Sequence, residues 1–202
     1  MSGQFVVLLP VKTPGTGKSR LDAPASKRAE LMLAFAADVI AALRQATLVD
    51  EVYVVSDDPT LNLDVPLLPD LGQGSLNRAL ALSTEALAHP RVCALLPDLP
   101  AVRAEEIDTA LGYVAGPGRW FVADHTGAGT SLLAAYDVHL DPHFGANSAQ
   151  AHLASGAVPI SAALPGLRLD VDTVADLRKA IAMGPGKYTT AVLPRGETPP
   201  QR

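Results

Sequence analysis

Four short, continuously apolar runs recur along the chain: FVVLLPV (5–11), EVYVVS (51–56), VCALLP (92–97) and WFVAD (120–124). None alternates with polar residues, which is how strands of a parallel sheet covered on both faces read. The stretches 26–46, 75–88 and 103–115 carry helical patterns instead. In the first, Met32, Phe35, Ala36, Val39, Ile40 and Leu43 recur at three- and four-residue steps and form one apolar face. Glu105 and Glu106 favour the start of the third through its macrodipole. A last helix from Thr173 to about Met183 opens on Thr173-x-x-Asp176, a capping-box-like start. This alternation restricts the chain to an α/β fold of three layers, with right-handed crossovers. Ligands of such sheets bind beyond the carboxyl ends of the strands. The residues that follow each apolar run are therefore the candidates for chemistry.

After the first run comes PVKTPGTGKSRL (10–21), whose Gly17-Lys18-Ser19 has the last letters of a Walker A loop. The first glycine of that motif would fall at residue 12, which is Lys12. A P-loop also runs straight into a helix, whereas Pro24 blocks one soon after Lys18. The segment is a cationic loop between a strand and a delayed helix. Its glycines and its cations Lys12, Lys18 and Arg20 suit a polyphosphate, and it reads equally as a solvated basic loop.

The charge distribution bears on that choice. The chain of 202 residues has a net charge of −5, with 16 Lys and Arg in all. Lys12, Lys18, Arg20, Lys27 and Arg28 cluster within one short span, opposed there by Asp22 alone. An acidic protein with one basic corner suits a small anionic substrate and argues against a nucleic-acid surface. Hydrophobic content of 48% predicts a well-packed single domain over 1–183. Residues 184–202, rich in Gly and Pro, read as a mobile tail. The lone Cys93 excludes an intramolecular disulfide and a cysteine-based zinc site. No stretch reads as a membrane span or a signal peptide, so a cytoplasmic location is expected.

Two acidic features stand out. Asp98 lies just past the third run, in a turn stiffened by Pro97 and Pro100. Asp170 and Asp172 are two apart in LRLDVDTVADL, an apolar-flanked segment read as extended, which puts both on one face. Three such carboxylates suit Mg²⁺, a hard ion that completes its shell with water and substrate phosphates. Alternatively, Asp172 merely opens the final helix and Asp170 is exposed. Two small-residue loops follow, DHTGAGTSLLA (124–134) and HFGANSAQAHL (143–153), the second with a short helix starting at Ser148. Gly127, Gly129, Thr130 and Ser131 of the first and Gly145 and Ser148 of the second could hold a phosphate or carboxylate, and either loop also reads as an ordinary turn. His125, His139, His143 and His152 have no metal-ligand spacing, and no G-x-S-x-G elbow is present.

The motifs P-V-K…G-K-S-R-L, V-V-S-D-D, G-S-L-N-R-A-L, P-D-L-P, D-x-x-G-x-G-T-S, F-G-x-x-S and L-D-V-D-T, in this order, resemble the guanylyltransferases of coenzyme F420 biosynthesis. That family is similar in fold to molybdenum-cofactor guanylyltransferases and other GT-A-type, Rossmann-like nucleotidyltransferases with a mostly parallel central sheet. The resemblance runs from about residue 5 to residue 183. It implies transfer of GMP from GTP onto the phosphate of a small phosphorylated three-carbon acid, with release of pyrophosphate. The acceptor would be phosphoenolpyruvate, giving enolpyruvoyl-2-diphospho-5'-guanosine, or alternatively 2-phospho-L-lactate. Carried over by position, Asp98, Asp170 and Asp172 would be the Mg²⁺ ligands. Thr130, Gly145 and Ser148 would hold the acceptor's carboxylate end. Lys12, Lys18 and Arg20 would surround the triphosphate and stabilise the leaving pyrophosphate, with Arg28 beside them. Gly74, Ser75 and Asn77 would face the guanine. Ser131 stands where the family commonly has asparagine. Rival readings are a nucleotidyltransferase for a molybdopterin or sugar phosphate, a non-catalytic nucleotide-sensing domain, and a P-loop ATPase. The implied partners are small molecules, with neither nucleic acid nor membrane, and assembly into a homo-oligomer is left open.

Overall fold

The computed structural model describes residues 4–12 and 24–193. In chain order the elements are β1 (Phe5–Pro10), α1 (Ala25–Leu43), β2 (Val49–Ser56), β3 (Leu67–Pro69), α2 (Leu76–Leu87), β4 (Arg91–Leu95), α3 (Ala104–Gly112), β5 (Gly118–Ala123), β6 (Thr130–Tyr136), α4 (Ser148–Ala154), β7 (Val158–Pro159), α5 (Pro165–Arg168), α6 (Val174–Met183) and α7 (Lys187–Val192). The strands form one sheet in the order β3-β2-β1-β4-β6-β5-β7. The pairs β1–β2, β1–β4, β2–β3 and β5–β7 are parallel, and β6 runs antiparallel to both β4 and β5. The mixed α/β, mostly parallel sheet expected from the sequence is present.

Side-chain alternation on β1 explains why the strand reads as uniformly apolar. Val7 and Leu9 point into a core shared with Val39, Ile40 and Leu43 of α1 and Ile107 and Leu111 of α3. Leu8 points the other way, into a core with Leu80 of α2, Phe121 and Leu133. Every β1 side chain is buried, so the central strand is fixed by apolar burial from both layers. Among the described residues no helix is long and apolar enough to cross a membrane.

Three expectations are corrected. Residues 130–134, expected within a small-residue loop, belong to strand β6, whose TSLLAAY is as apolar as the other strands. The segment 170–172 is not a strand; it is irregular chain held by a hydrogen bond from Val171 N–H to the Asp98 carbonyl, 2.9 Å. The stretch read as a tail is not irregular throughout, since Lys187–Val192 forms a helix. Its first turn is anchored by Asp38 of α1, a buried carboxylate that accepts from Tyr188 N–H (2.9 Å) and Thr189 N–H (2.8 Å). Gly and Pro lower local helix propensity, but two charge-assisted hydrogen bonds to a long-range partner outweigh it.

Candidate functional site

The carboxyl ends of β1 and β4 open onto a cleft of about 290 Å³. Its walls include Pro10, Val11 and Lys12 after β1, Met32 and Phe35 of α1, Leu76 of α2, and Leu96, Pro97, Asp98 and Asp172. One cation and two carboxylates thus share an otherwise apolar lining. A larger hollow of about 490 Å³ lies at the other end of the sheet, where β4 begins and β6 ends, between His89, Pro90, Asp137 and His139. The smaller cleft is the candidate, because it stands where parallel strands deliver their ligand-facing loops. Lys18 and Arg20 lie outside the described residues. Arg28 is half-buried in the first turns of α1.

Asp98 and the 170–172 segment meet through the backbone bond from Val171. Asp170 is half-buried, and its carboxyl is raised above the usual carboxylate range, first by burial and then by the charge of Asp98, with Asp124 and Asp172 adding smaller repulsions. A hydrogen bond from His125 works against that rise. His125 Nδ1 stands 3.1 Å from Asp170 Oδ1, and His125 Nε2 stands 3.4 Å from Asp176 Oδ1. Lys179 completes the row with Nζ 3.0 Å from Asp176 Oδ1. Asp176 also closes the capping box of α6 with Thr173. Among the described residues no group of three His, Cys, Asp or Glu side chains is close enough to hold a metal ion alone. Asp98 and Asp172 do share the cleft wall, which matches an ion that takes one or two carboxylates and fills the rest of its shell with phosphate and water.

No spacing along the chain singles out His125. Its position is set by Arg168, whose guanidinium donates to the Ala123 carbonyl (2.7 Å) and the Ile160 carbonyl (2.6 Å). The Arg168 carbonyl in turn accepts from His125 N–H, 2.7 Å. A readable signal was the lone arginine between the apolar residues of PGLRLDV.

Because β6 runs against β4, its first residue rather than its last reaches the ligand end of the sheet. Leu95 pairs with Leu132, and Leu96 N–H donates to the Ser131 carbonyl at 2.9 Å. Thr130 is thereby set at the same end of the sheet as Asp98. The turn before it is built by Asp124, which accepts from Thr126 N–H (3.0 Å), the Thr126 hydroxyl (2.8 Å) and Gly129 N–H (3.0 Å). A Cβ on Gly129 would stand 2.3 Å from Asp124 Oδ2, so only glycine lets the carboxylate close this turn. Ser131 is fully buried and donates to the Val122 carbonyl, so it serves the sheet.

Thr130 and Ser148 are both buried, at 3% and 2% exposure, while Gly145 is exposed at φ +138°. The structure links this group to the α2 loop. Asn77 Nδ2 donates to the Phe144 carbonyl (3.0 Å), and Phe144 N–H donates to Asn77 Oδ1 (2.7 Å). Asn77 therefore braces the 143–145 segment. Ser75 caps α2 by accepting from Arg78 N–H, and Gly74 beside it is exposed.

The family model described as "Guanylyl transferase CofC like" matches residues 5–195. The phosphoenolpyruvate guanylyltransferase of Geodermatophilus obscurus is 42% identical over 199 residues, covering 93% of this chain and 93% of that protein. That of Streptomyces scabiei is 42% identical over 209 residues, covering 95% of this chain and 97% of the relative. Among solved structures, a protein described as a nucleotide-diphospho-sugar transferase from Desulfovibrio desulfuricans G20 superposes with a TM-score of 0.74 at 18% identity, covering 94% of each chain. At that identity the likeness shows the fold alone.

Proposed function

The chain belongs to the CofC-like guanylyl transferase family, and on that premise we propose that it transfers GMP from GTP to the phosphate of phosphoenolpyruvate. A phosphate oxygen of the acceptor attacks the α-phosphorus of GTP, the bond from that phosphorus to the bridging oxygen breaks, and pyrophosphate leaves. The product is enolpyruvoyl-2-diphospho-5'-guanosine. The observation that carries the reading is the cleft that sets Lys12, Asp98 and Asp172 in one wall, at the end of the sheet that also presents Thr130. The names of the relatives from Geodermatophilus and Streptomyces support phosphoenolpyruvate over 2-phospho-L-lactate as the acceptor.

Two anions must meet in this reaction. Lys12, together with Lys18 and Arg20 of the same cationic loop, would hold the triphosphate and stabilise charge as pyrophosphate departs. Asp98 and Asp172 would hold Mg²⁺, with Asp170 beside them. When bound, the ion supplies neutralisation of the phosphate charges. Gly74 and Ser75 would face the base at the mouth of the cleft. Thr130, Gly145 and Ser148 would receive the acceptor's carboxylate and orient its phosphate, which lowers the entropic cost of the encounter. The acceptor phosphate is already anionic, so the reaction needs no general base.

The test is pyrophosphate release with GTP and Mg²⁺, with phosphoenolpyruvate or 2-phospho-L-lactate in parallel reactions. Release dependent on phosphoenolpyruvate is the expected result. Release with 2-phospho-L-lactate alone would replace the acceptor, and GTP hydrolysis without any acceptor would overturn the transferase reading.

A further inference from the structure

Of the four histidines outside any ligand pattern, His152 alone is fully buried. It lies four residues after Ser148 on α4, so both side chains project from one face. A buried histidine is usually a core residue whose polar atoms have found partners, and both ring nitrogens here have one at 2.9 Å. The identity of those partners gives the ring a direction.

His143 contributes its backbone N–H to His152 Nε2, and an N–H can only donate. Nε2 must therefore be the unprotonated nitrogen. A neutral imidazole then carries its proton on Nδ1, which donates to Thr130 Oγ1. Burial keeps the ring neutral at ordinary pH. The rings of Phe121 (centroids 5.8 Å), Phe144 (5.2 Å) and His143 (5.8 Å) enclose it and fix its plane.

The consequence falls on Thr130. A hydroxyl has one proton and two acceptor sites. With His152 donating to it, its own proton must go elsewhere, and no other described residue hydrogen-bonds to it. The same ring holds the backbone of His143, next to Phe144, which Asn77 grips through both its N–H and its carbonyl. The Gly145 N–H that follows has no acceptor among the described residues.

We propose that His152 is a positioning residue of the acceptor site: it fixes the Thr130 hydroxyl as a donor and braces the 143–145 backbone, so that both receive the acceptor's carboxylate. This deepens the acceptor assignment made above and rests on it. The sense of the Thr130 hydroxyl is the specific element. A carboxylate can only accept, so a Thr130 free to turn its proton back toward the protein would present a lone pair to an anion.

The test uses substitutions that separate the two nitrogens. In His152→Asn the amide NH₂ can take the place of Nδ1–H and keep donating to Thr130. In His152→Gln the longer amide reaches the Nε2 position and can keep only the bond from His143. His152→Phe removes both. With GTP saturating, the KM for phosphoenolpyruvate in His152→Phe should rise about tenfold or more, the worth of one hydrogen bond to a charged group, while the KM for GTP stays within about twofold. His152→Asn should recover most of that loss and His152→Gln little of it. In a Thr130→Val background His152→Phe should lose most of its effect, leaving only the smaller part that comes from the 143–145 brace. Equal rises in both KM values, equal behaviour of Asn and Gln, or multiplicative effects with Thr130→Val would each reduce His152 to a core residue. If His152→Phe does not fold, the Asn and Gln pair decides the matter. ¹⁵N NMR of the wild-type imidazole gives a reading independent of substrate: a proton on Nδ1 supports the assignment and a proton on Nε2 overturns it. Failure of wild type to use phosphoenolpyruvate, with Nδ1 protonated, would refute the acceptor and leave the positioning of Thr130 standing.

Discussion

Around Asp98, Asp170 and Asp172 the chain gathers negative charge on irregular segments, half-buried or exposed, and one carboxyl is driven above its usual range by its neighbours. Around Thr130 and His152 it gathers neutral polar groups on β6 and α4, buried and joined by hydrogen bonds of 2.7–3.0 Å that run on to Asn77 and Phe144. Asp98, after β4, and Thr130, at the start of β6, stand at one end of the sheet. The acidic half is an arrangement that a cation would complete, since like charges at short range cost energy until something neutralises them. The neutral half is braced by its own hydrogen bonds and leaves the donors of Thr130 and Gly145 unspent among the described residues. A reaction between two phosphates fits such a division, with one side managing charge and the other managing orientation.

The comparison is broken most forcefully on the acidic side. Asp98→Asn or Asp172→Asn should cut turnover by about 10²–10³, or about 3–4 kcal/mol of transition-state stabilisation, in the range for removal of a single electrostatic group. Pyrophosphate release under limiting Mg²⁺ measures it, and near-normal rates in either variant would remove the metal assignment.

The neutral half should be sensitive to acid. Burial is the main cause that pushes His152 down to about 4; the charges of His143 and Arg119 act in the same direction and Asp141 opposes them. In the unfolded chain the ring titrates at its ordinary value of 6.5. Between those values the unfolded state binds the extra proton, so this contribution to stability is complete above pH 6.5 and is lost as the pH falls toward 4. The loss is on the order of 3 kcal/mol, at about 1.4 kcal/mol per unit. Urea unfolding of wild type and His152→Asn between pH 7 and pH 4.5 should show the wild type losing more. Equal slopes would mean that the ring is already charged in the native state.

A control away from both halves is Asp38→Ala, which leaves Tyr188 N–H and Thr189 N–H without their buried acceptor. It should cost about 1–3 kcal/mol in urea unfolding while the KM for phosphoenolpyruvate stays unchanged. The smallest effect has the opposite sign. Asp170→Asn keeps an oxygen that can accept from His125 but removes repulsion from Asp98, Asp124 and Asp172. It should raise the melting temperature slightly at neutral pH without Mg²⁺ while lowering turnover. A lower melting temperature would mean that the pairing with His125 outweighs the repulsion.

The legible parts of the sequence were those in which one residue type at one place implies its chemistry. Phe5–Pro10 reads as a central strand because every residue is apolar, and Asp98 reads as a site residue because it directly follows such a strand. What stayed hidden was set by long-range pairing. TSLLAAY is as apolar as the other strands, yet its reversed direction puts Thr130 at the ligand end only because it pairs with β4 and β5. His125 and His152 are at no telling spacing, since one is placed by Arg168 and the other by the backbone of His143. The resemblance implies Asn77 at the guanine, and nothing in the sequence shows that its amide holds Phe144, 67 residues away in the chain. Residues 187–192 look like tail in composition and become helix through Asp38.

The most direct measurement of the division is a pair of titrations on one assay of pyrophosphate release, varying phosphoenolpyruvate and Mg²⁺ in turn, for wild type, Asp172→Asn and Thr130→Val. Asp172→Asn should raise the Mg²⁺ requirement with little change in the KM for phosphoenolpyruvate, and Thr130→Val should do the reverse. Both variants shifting both parameters together would contradict a cleft with separate charge and orientation halves.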